Sequence, residues 1–177
     1  CLQRGGVLGK GVGDHFSPAD NAVRLSPDNY HGKSLTAVAV AAHEVGHALQ
    51  CHRQERIFKL RSRFLPFAVK LRQLGMFAFM LFPVVALLVR SPPLMVLVIG
   101  IGVLLQLLGA MMYLIVLPEE WDASFNKALP VLAEGYVPDE HMPAVRQVLK
   151  AAALTYFAAA LADVLNIARW LMLVLRR

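Results

Sequence analysis

Cysteine is scarce in this chain: Cys1 and Cys51 are the two among 177 residues. That excludes a disulfide framework, and their spacing fits no thiolate zinc cluster. Charge is scarce as well, since 17% of residues are Asp, Glu, Lys or Arg against about 25% in an ordinary soluble domain. Internal repeats and low-complexity tracts are absent. The net charge of +6 comes without aromatic-basic interleaving or a groove-reading helix pattern, which argues against nucleic acid as a partner. The chain opens at Cys1 without an initiating Met or a basic-then-apolar leader, and so reads as a fragment or a trimmed chain.

What the sequence does have is oil, with 57% hydrophobic residues and a mean hydropathy of +0.53. Most of it lies in residues 74–117 and 151–175, whereas residues 1–63 read like a soluble chain. Basic residues flank the apolar runs: Lys59, Arg61, Arg63, Lys70 and Arg72 precede one, Arg146 and Lys150 another. Such charges suit lipid headgroups. Leu94 to Leu117 supplies 24 consecutive uncharged residues, enough to cross a hydrocarbon core that needs about 20. Residues 68–89 form a plausible earlier span, bent locally by Pro83, so 68–89 and 94–117 are expected to make a transmembrane hairpin with its turn at Arg90-Ser91-Pro92-Pro93.

Around these spans the pattern predicts a loop and small β-hairpin within 1–33, with strands at His15-Phe16 and Ala22 to Leu25. A long helix over 34–63 follows, capped by Ser34 and open to interruption at Gly46. A helix over 118–134 is expected after Pro118 ends the second span. Gly135 and Pro138 mark a break, and a long apolar helix or third span covers 143–175. All of this is read as one membrane-associated domain, 1–177.

The chemistry centres on His43-Glu44-Val45-Gly46-His47. Four-residue spacing on a helix puts both imidazoles on one face, where two nitrogens reach one metal ion and Glu44 approaches the water beside it. Polar residues bonded within a core helix are the plain alternative, yet a metal ion accounts for all three together. A catalytic zinc site needs a third protein ligand. Position 53 is Arg53, so the pattern with a His six residues after the second one fails, and His52 is turned about 140° from the His47 face. Glu119 and Glu120 are the candidates, because two crossings return the chain to the side on which it began. Glu120 is favoured, since it shares a helical face with Ala123, Ser124 and Lys127. Asp122 or Asn126 could orient an imidazole N–H. Tyr136, His141 and Tyr156 are candidate oxyanion donors, and Asp163, costly against lipid, is expected to face protein, water or Arg169.

Several segments together resemble the YugP-like neutral zinc metallopeptidases of bacteria, which are distantly similar to the HtpX-like and CAAX-prenyl gluzincin proteases. These are Asp14-His15-Phe16, Leu25 to Asp28, Ala41 to Ala48, Leu117 to Ser124 and Val148 to Tyr156. The resemblance implies a mainly α, integral-membrane, gluzincin-like metallopeptidase holding one Zn²⁺ per chain on His43, His47 and Glu120. Glu44 would be the general base that activates water against a polarised carbonyl, so the implied activity is peptide-bond hydrolysis by a zinc metalloendopeptidase. The implied partners are a peptide or protein substrate and membrane lipid. A catalytically weak or inactive membrane chaperone or assembly factor retaining the fold is the competing expectation. The implied location is the bacterial inner membrane. Basic residues from Lys59 to Arg72, against Arg90 alone in the opposite turn, place the zinc side in the cytoplasm, while Arg176 and Arg177 argue the other way.

Overall fold

The computed structural model describes residues 7–8, 13–89 and 91–175. Cys1, Arg90, Arg176 and Arg177, used above, lie outside them. The chain is mainly helical and divides into two compact units, residues 1–59 with 117–155, and residues 60–116 with 156–177.

In the first unit, strands β1 (Val7–Leu8), β2 (His15–Ser17) and β3 (Ala22–Leu25) form a sheet in the order β1-β3-β2. The expected hairpin is β2 with β3, antiparallel and registered Phe16 to Val23; the parallel partner β1 is an addition. Asp14 ties the sheet to helix α1 (Pro27–His31): its Oδ1 accepts from the Ser26 amide at 2.7 Å and its Oδ2 from Asn29 Nδ2 at 2.7 Å. Ser34 Oγ accepts from the Ala37 amide at 3.1 Å and starts α2 (Leu35–His52), an Ala-rich run with no proline. Its inner face repeats at helical spacing through Ala39, His43, His47 and Gln50, all buried.

The helix expected over 34–63 stops instead at His52, uninterrupted at Gly46. Gln54 is left-handed at φ 55. The amides of Gln54 and Glu55 return to the carbonyls of Cys51 and Gln50 at 3.1 Å each, a Schellman closure that usually uses Gly. Helix α3 (Arg56–Val89) starts afresh and contains the region expected as the first span.

Pro118 does not end helix α4 (Pro92–Trp121), which carries it internally. The helical path then widens into a π-helical stretch, Asp122–Ala128, a short α turn, Leu129–Val131, and a second π stretch, Leu132–Tyr136, which replace the single helix expected over 118–134. Gly135, at φ 105, ends it. Helix α5 (Met142–Ala153) packs Met142, Val145 and Leu149 with Ala39, Ala128, Leu129, Leu132 and Val137 into one buried cluster. The long helix expected over 143–175 is therefore divided: Leu154 leaves helical geometry, and α6 (Thr155–Leu175) follows.

In the second unit α3, α4 and α6 meet through small residues, with Ala68, Ala110 and Ala160 buried around Tyr113. Small side chains let helices approach closely. Residues Arg56–Val85 and Pro93–Tyr136 are each helical, long and apolar enough to cross a membrane. The pair Asp139–Ala153 and Thr155–Arg169 qualifies only as one path bent by 48°.

Candidate metal centre

Helix α2 and the end of α4 build the site. Gly46 allows this, because a Cβ there would stand 2.5 Å from the Ala123 carbonyl oxygen. The two backbones therefore approach closer than any side chain permits. The π-helical register helps by turning Ala123, Ser124, Lys127 and Ala128 inward together, and such wide turns recur at functional sites.

His43, His47 and Glu120 are 5%, 3% and 2% exposed, and one donor atom from each converges on a common point. His43 Nε2 and His47 Nε2 are 3.2 Å apart, and Glu120 Oε2 lies 3.2 Å from the first and 3.3 Å from the second. A regular tetrahedron with edges of this length has centre-to-corner distances of about 2.0 Å, the bond length zinc makes to nitrogen and carboxylate oxygen. Two neutral imidazoles and a carboxylate are also the donor chemistry of such sites. The cluster is therefore compatible with a metal ion, one coordination position being left for water or substrate.

The outward ring nitrogens are engaged too. His43 Nδ1 faces Ser124 Oγ at 2.9 Å, and His47 Nδ1 faces Gln50 Oε1 and Glu119 Oε1, each at 3.0 Å. A proton held on Nδ1 leaves the Nε2 lone pair free to ligate. Gln50 is itself oriented, since its Nε2 donates to the Glu119 carbonyl at 3.0 Å and to Asp122 Oδ2 at 2.8 Å. Lys127 joins Asp122 to Glu55, the latter at 3.0 Å. Burial raises the Asp122 pKa, but hydrogen bonds from Lys127, Gln50 and Asn126 and the lysine charge outweigh it and hold this carboxyl below the usual carboxylate range.

Glu44 is 7% exposed and sits beside His43 on α2. Of the other expected residues, Asp122 touches the centre through Gln50, and Asn126 is one bond further out, donating to Asp122 Oδ1 at 2.8 Å. His52 faces solvent, as its angle predicts. Tyr136 is 75% exposed, and His141 is exposed beside Glu140. Tyr156 belongs to the second unit, where its ring packs 5.7 Å from Tyr113 and its hydroxyl accepts from Arg61 at 3.2 Å. The sequence reading gave Ser124 and Gln50 no site role and took Glu119 as the alternative to Glu120 for the third ligand, not as a second carboxylate at His47 beside it. Gln50 was findable, standing one turn beyond His47 on the same face. Glu119 was not, because adjacent helical residues diverge by about 100° and only the packing shows both reaching one histidine.

A mainly helical chain with two membrane-length apolar helices and a His/His/Glu cluster built from a His-Glu-x-x-His helix and a carboxylate facing it has the features of a membrane-associated metallopeptidase. The chain belongs to the family described as "Putative neutral zinc metallopeptidase", which matches residues 7–175. It is 34% identical over 171 residues to "Putative membrane protease YugP" of Bacillus subtilis (strain 168), an alignment spanning 92% of this chain and 68% of that protein. No solved structure matches.

Proposed function

We propose that this chain is a gluzincin-type zinc endopeptidase that cleaves peptide bonds in proteins or peptides at the membrane, with one Zn²⁺ held by His43 Nε2, His47 Nε2 and Glu120 Oε2. The observation that carries the reading is the triangle of donor atoms, 3.2 to 3.3 Å on a side, with both outward imidazole nitrogens engaged. Zinc bound there would supply Lewis acidity, which can lower the pKa of bound water to about 7. Glu44 takes the proton of the attacking water on its carboxylate and delivers it to the departing amine. Ser124, Gln50 and Glu119 hold the rings in the ligating tautomer. Burial of Glu44 and Glu120 strengthens each charge interaction around the reacting carbonyl.

The apolar helices α3 and α4 cross the bilayer as a hairpin, so the chain before and after the hairpin lies on one side of the membrane. The basic residues from Lys59 to Arg72 put that side in the cytoplasm of a bacterial inner membrane.

The test is elemental analysis and an anomalous-scattering metal map on the full-length protein, with cleavage measured in parallel. One zinc per chain is expected between the imidazoles and Glu120. Glu44→Gln is expected to keep that zinc and lose about 10²- to 10⁴-fold in cleavage rate. Full cleavage by a zinc-loaded Glu44→Gln protein would remove Glu44 from the chemistry, and a metal seated away from Glu120 would remove the ligand set.

A further inference from the structure

Helix α3 sorts the basic residues of the second unit that precede its apolar run onto two faces. Arg61 and Arg72 are engaged within the unit: Arg61 donates to the Tyr156 hydroxyl at 3.2 Å, and Arg72 Nε lies 3.0 Å from Asp163 Oδ1. Arg63 and Lys70 stand on the other face, turned from that pair by about 160–180° at 100° per residue, and both are exposed. Among the described residues neither of them makes an ion pair. Residues 60–116 and 156–177 hold a single acidic residue, Asp163, which is 2% exposed and already paired with Arg72. The counter-charge for Arg63 and Lys70 therefore has to come from outside this unit.

The rest of that face points to its source. Phe67, 57% exposed, sits between the two cations, and Leu74, Phe77, Leu81 and Leu88, all exposed, continue the same stripe toward the end of the helix. The seven residues fall within about 80° of one another around the axis. A face that is apolar for about four turns, then aromatic and basic, follows a bilayer from its hydrocarbon out to its phosphates.

We propose that the Arg63, Phe67 and Lys70 face of α3 binds the headgroup of an anionic phospholipid whose acyl chains lie along Leu74, Phe77 and Leu81, given the bilayer crossing of α3 proposed above. A hydrocarbon core takes about 20 helical residues, so a span that ends near Val89 begins near Lys70. Helical side chains lean toward the amino terminus, which carries the Lys70 ammonium from the hydrocarbon edge out to the phosphates. Arg63 stands about 10 Å further out, close to one Debye length in physiological salt, and so attracts the headgroup less strongly. A zwitterionic lipid brings its own cation to a face that already has two, which selects for a net negative head. A soluble acidic peptide would match the charges and leave the adjoining hydrocarbon stripe bare.

The test titrates the full chain in detergent micelles with phosphatidylglycerol and with phosphatidylcholine of the same acyl chains, bound lipids being counted by native mass spectrometry. Phosphatidylglycerol is expected to bind about ten-fold more tightly. Lys70→Gln should lower that preference about five-fold and Arg63→Gln about two-fold, while Lys70→Arg keeps it and Arg61→Gln, whose charge lies on the other face, leaves it unchanged. Equal affinity for the two lipids, an unchanged preference in Lys70→Gln, or as large a loss in Arg61→Gln would each overturn the proposal. Release of an acidic polypeptide, rather than phospholipid, from Lys70→Gln protein isolated from native membranes would give the face to a protein partner and overturn it too. Carbonate extraction of those membranes reads the crossing separately. Resistant protein with no lipid preference sinks the headgroup contact alone, whereas extractable protein sinks the crossing and the contact built on it.

Discussion

The two units treat charge and oil in opposite ways. The first buries His43, Glu44, His47, Glu119, Glu120 and Lys127, while Asp163 is the one buried charged residue among the described residues of the second. On the outside the order reverses: the second unit exposes Met80 at 67%, Val96 at 71% and Leu88 at 75%, and contiguous apolar surface of that kind is unusual on a water-soluble protein. Burial alone therefore does not reveal what a side chain is for. In the first unit a buried charge marks an assembled centre, and in the second an exposed leucine marks a face apolar enough for lipid.

Removing metal should break this contrast most strongly. If zinc is held as proposed, chelation withdraws about 4 kcal/mol from the first unit when free zinc had exceeded its dissociation constant a thousand-fold. Amide exchange should rise in α2 and in residues 122–128 while residues 73–89 and 94–112 keep their protection. Equal loosening of both units would show that the ion is not confined to the first.

Leu104→Arg probes the other side. Leu104 is 56% exposed, and on a water-facing helix the change would cost within about 0.5 kcal/mol. In a bilayer it should cost about 3 kcal/mol near the helix centre, visible as protein lost from the carbonate-resistant membrane fraction. Normal insertion would mean that this face of α4 does not meet lipid.

A smaller effect is expected from Glu119→Gln, which keeps an acceptor at His47 Nδ1 and removes its charge. Zinc affinity should fall about ten-fold with stoichiometry preserved, measured by competition with a metal-binding dye. Complete loss of zinc would instead make Glu119 a ligand and reverse its assignment relative to Glu120.

The features legible in the sequence are those that local pattern controls. The histidine pair followed from four-residue spacing, the two apolar helices from uncharged runs, and the β2–β3 hairpin from turn residues around Asp20 and Asn21. Glu120 was reachable from the expected topology, in which two crossings bring the chain back. Pro118 misled, since proline usually ends a helix, whereas here α4 runs on to Trp121 and widens into a π-helical stretch that carries Ser124 to His43. A widened helix has no residue signature, and it depends on Gly46 admitting the Ala123 carbonyl from a partner 77 positions away. Leu154 gave no sign of a break either, being an ordinary helix former.

Gln54 is the most local of these surprises, and it yields the finest test of whether the units are independent. A side chain in the left-handed region costs roughly 1–2 kcal/mol, yet the closure that Gln54 makes ends α2 one turn past His47 and sets Glu55 against Lys127. Glycine adopts this conformation freely but gives up more chain entropy on folding. It also forgoes the exposed bond from Gln54 Nε2 to the Cys51 carbonyl at 3.0 Å. Gln54→Gly should therefore stabilise the first unit by a net of about 0.5–1 kcal/mol, read as slower amide exchange at the end of α2, with zinc content and the exchange of the second unit unchanged. A loss of stability would mean that α2 continues past His52 in solution, and the link from Glu55 through Lys127 and Asp122 to Gln50 would then have no fixed starting point.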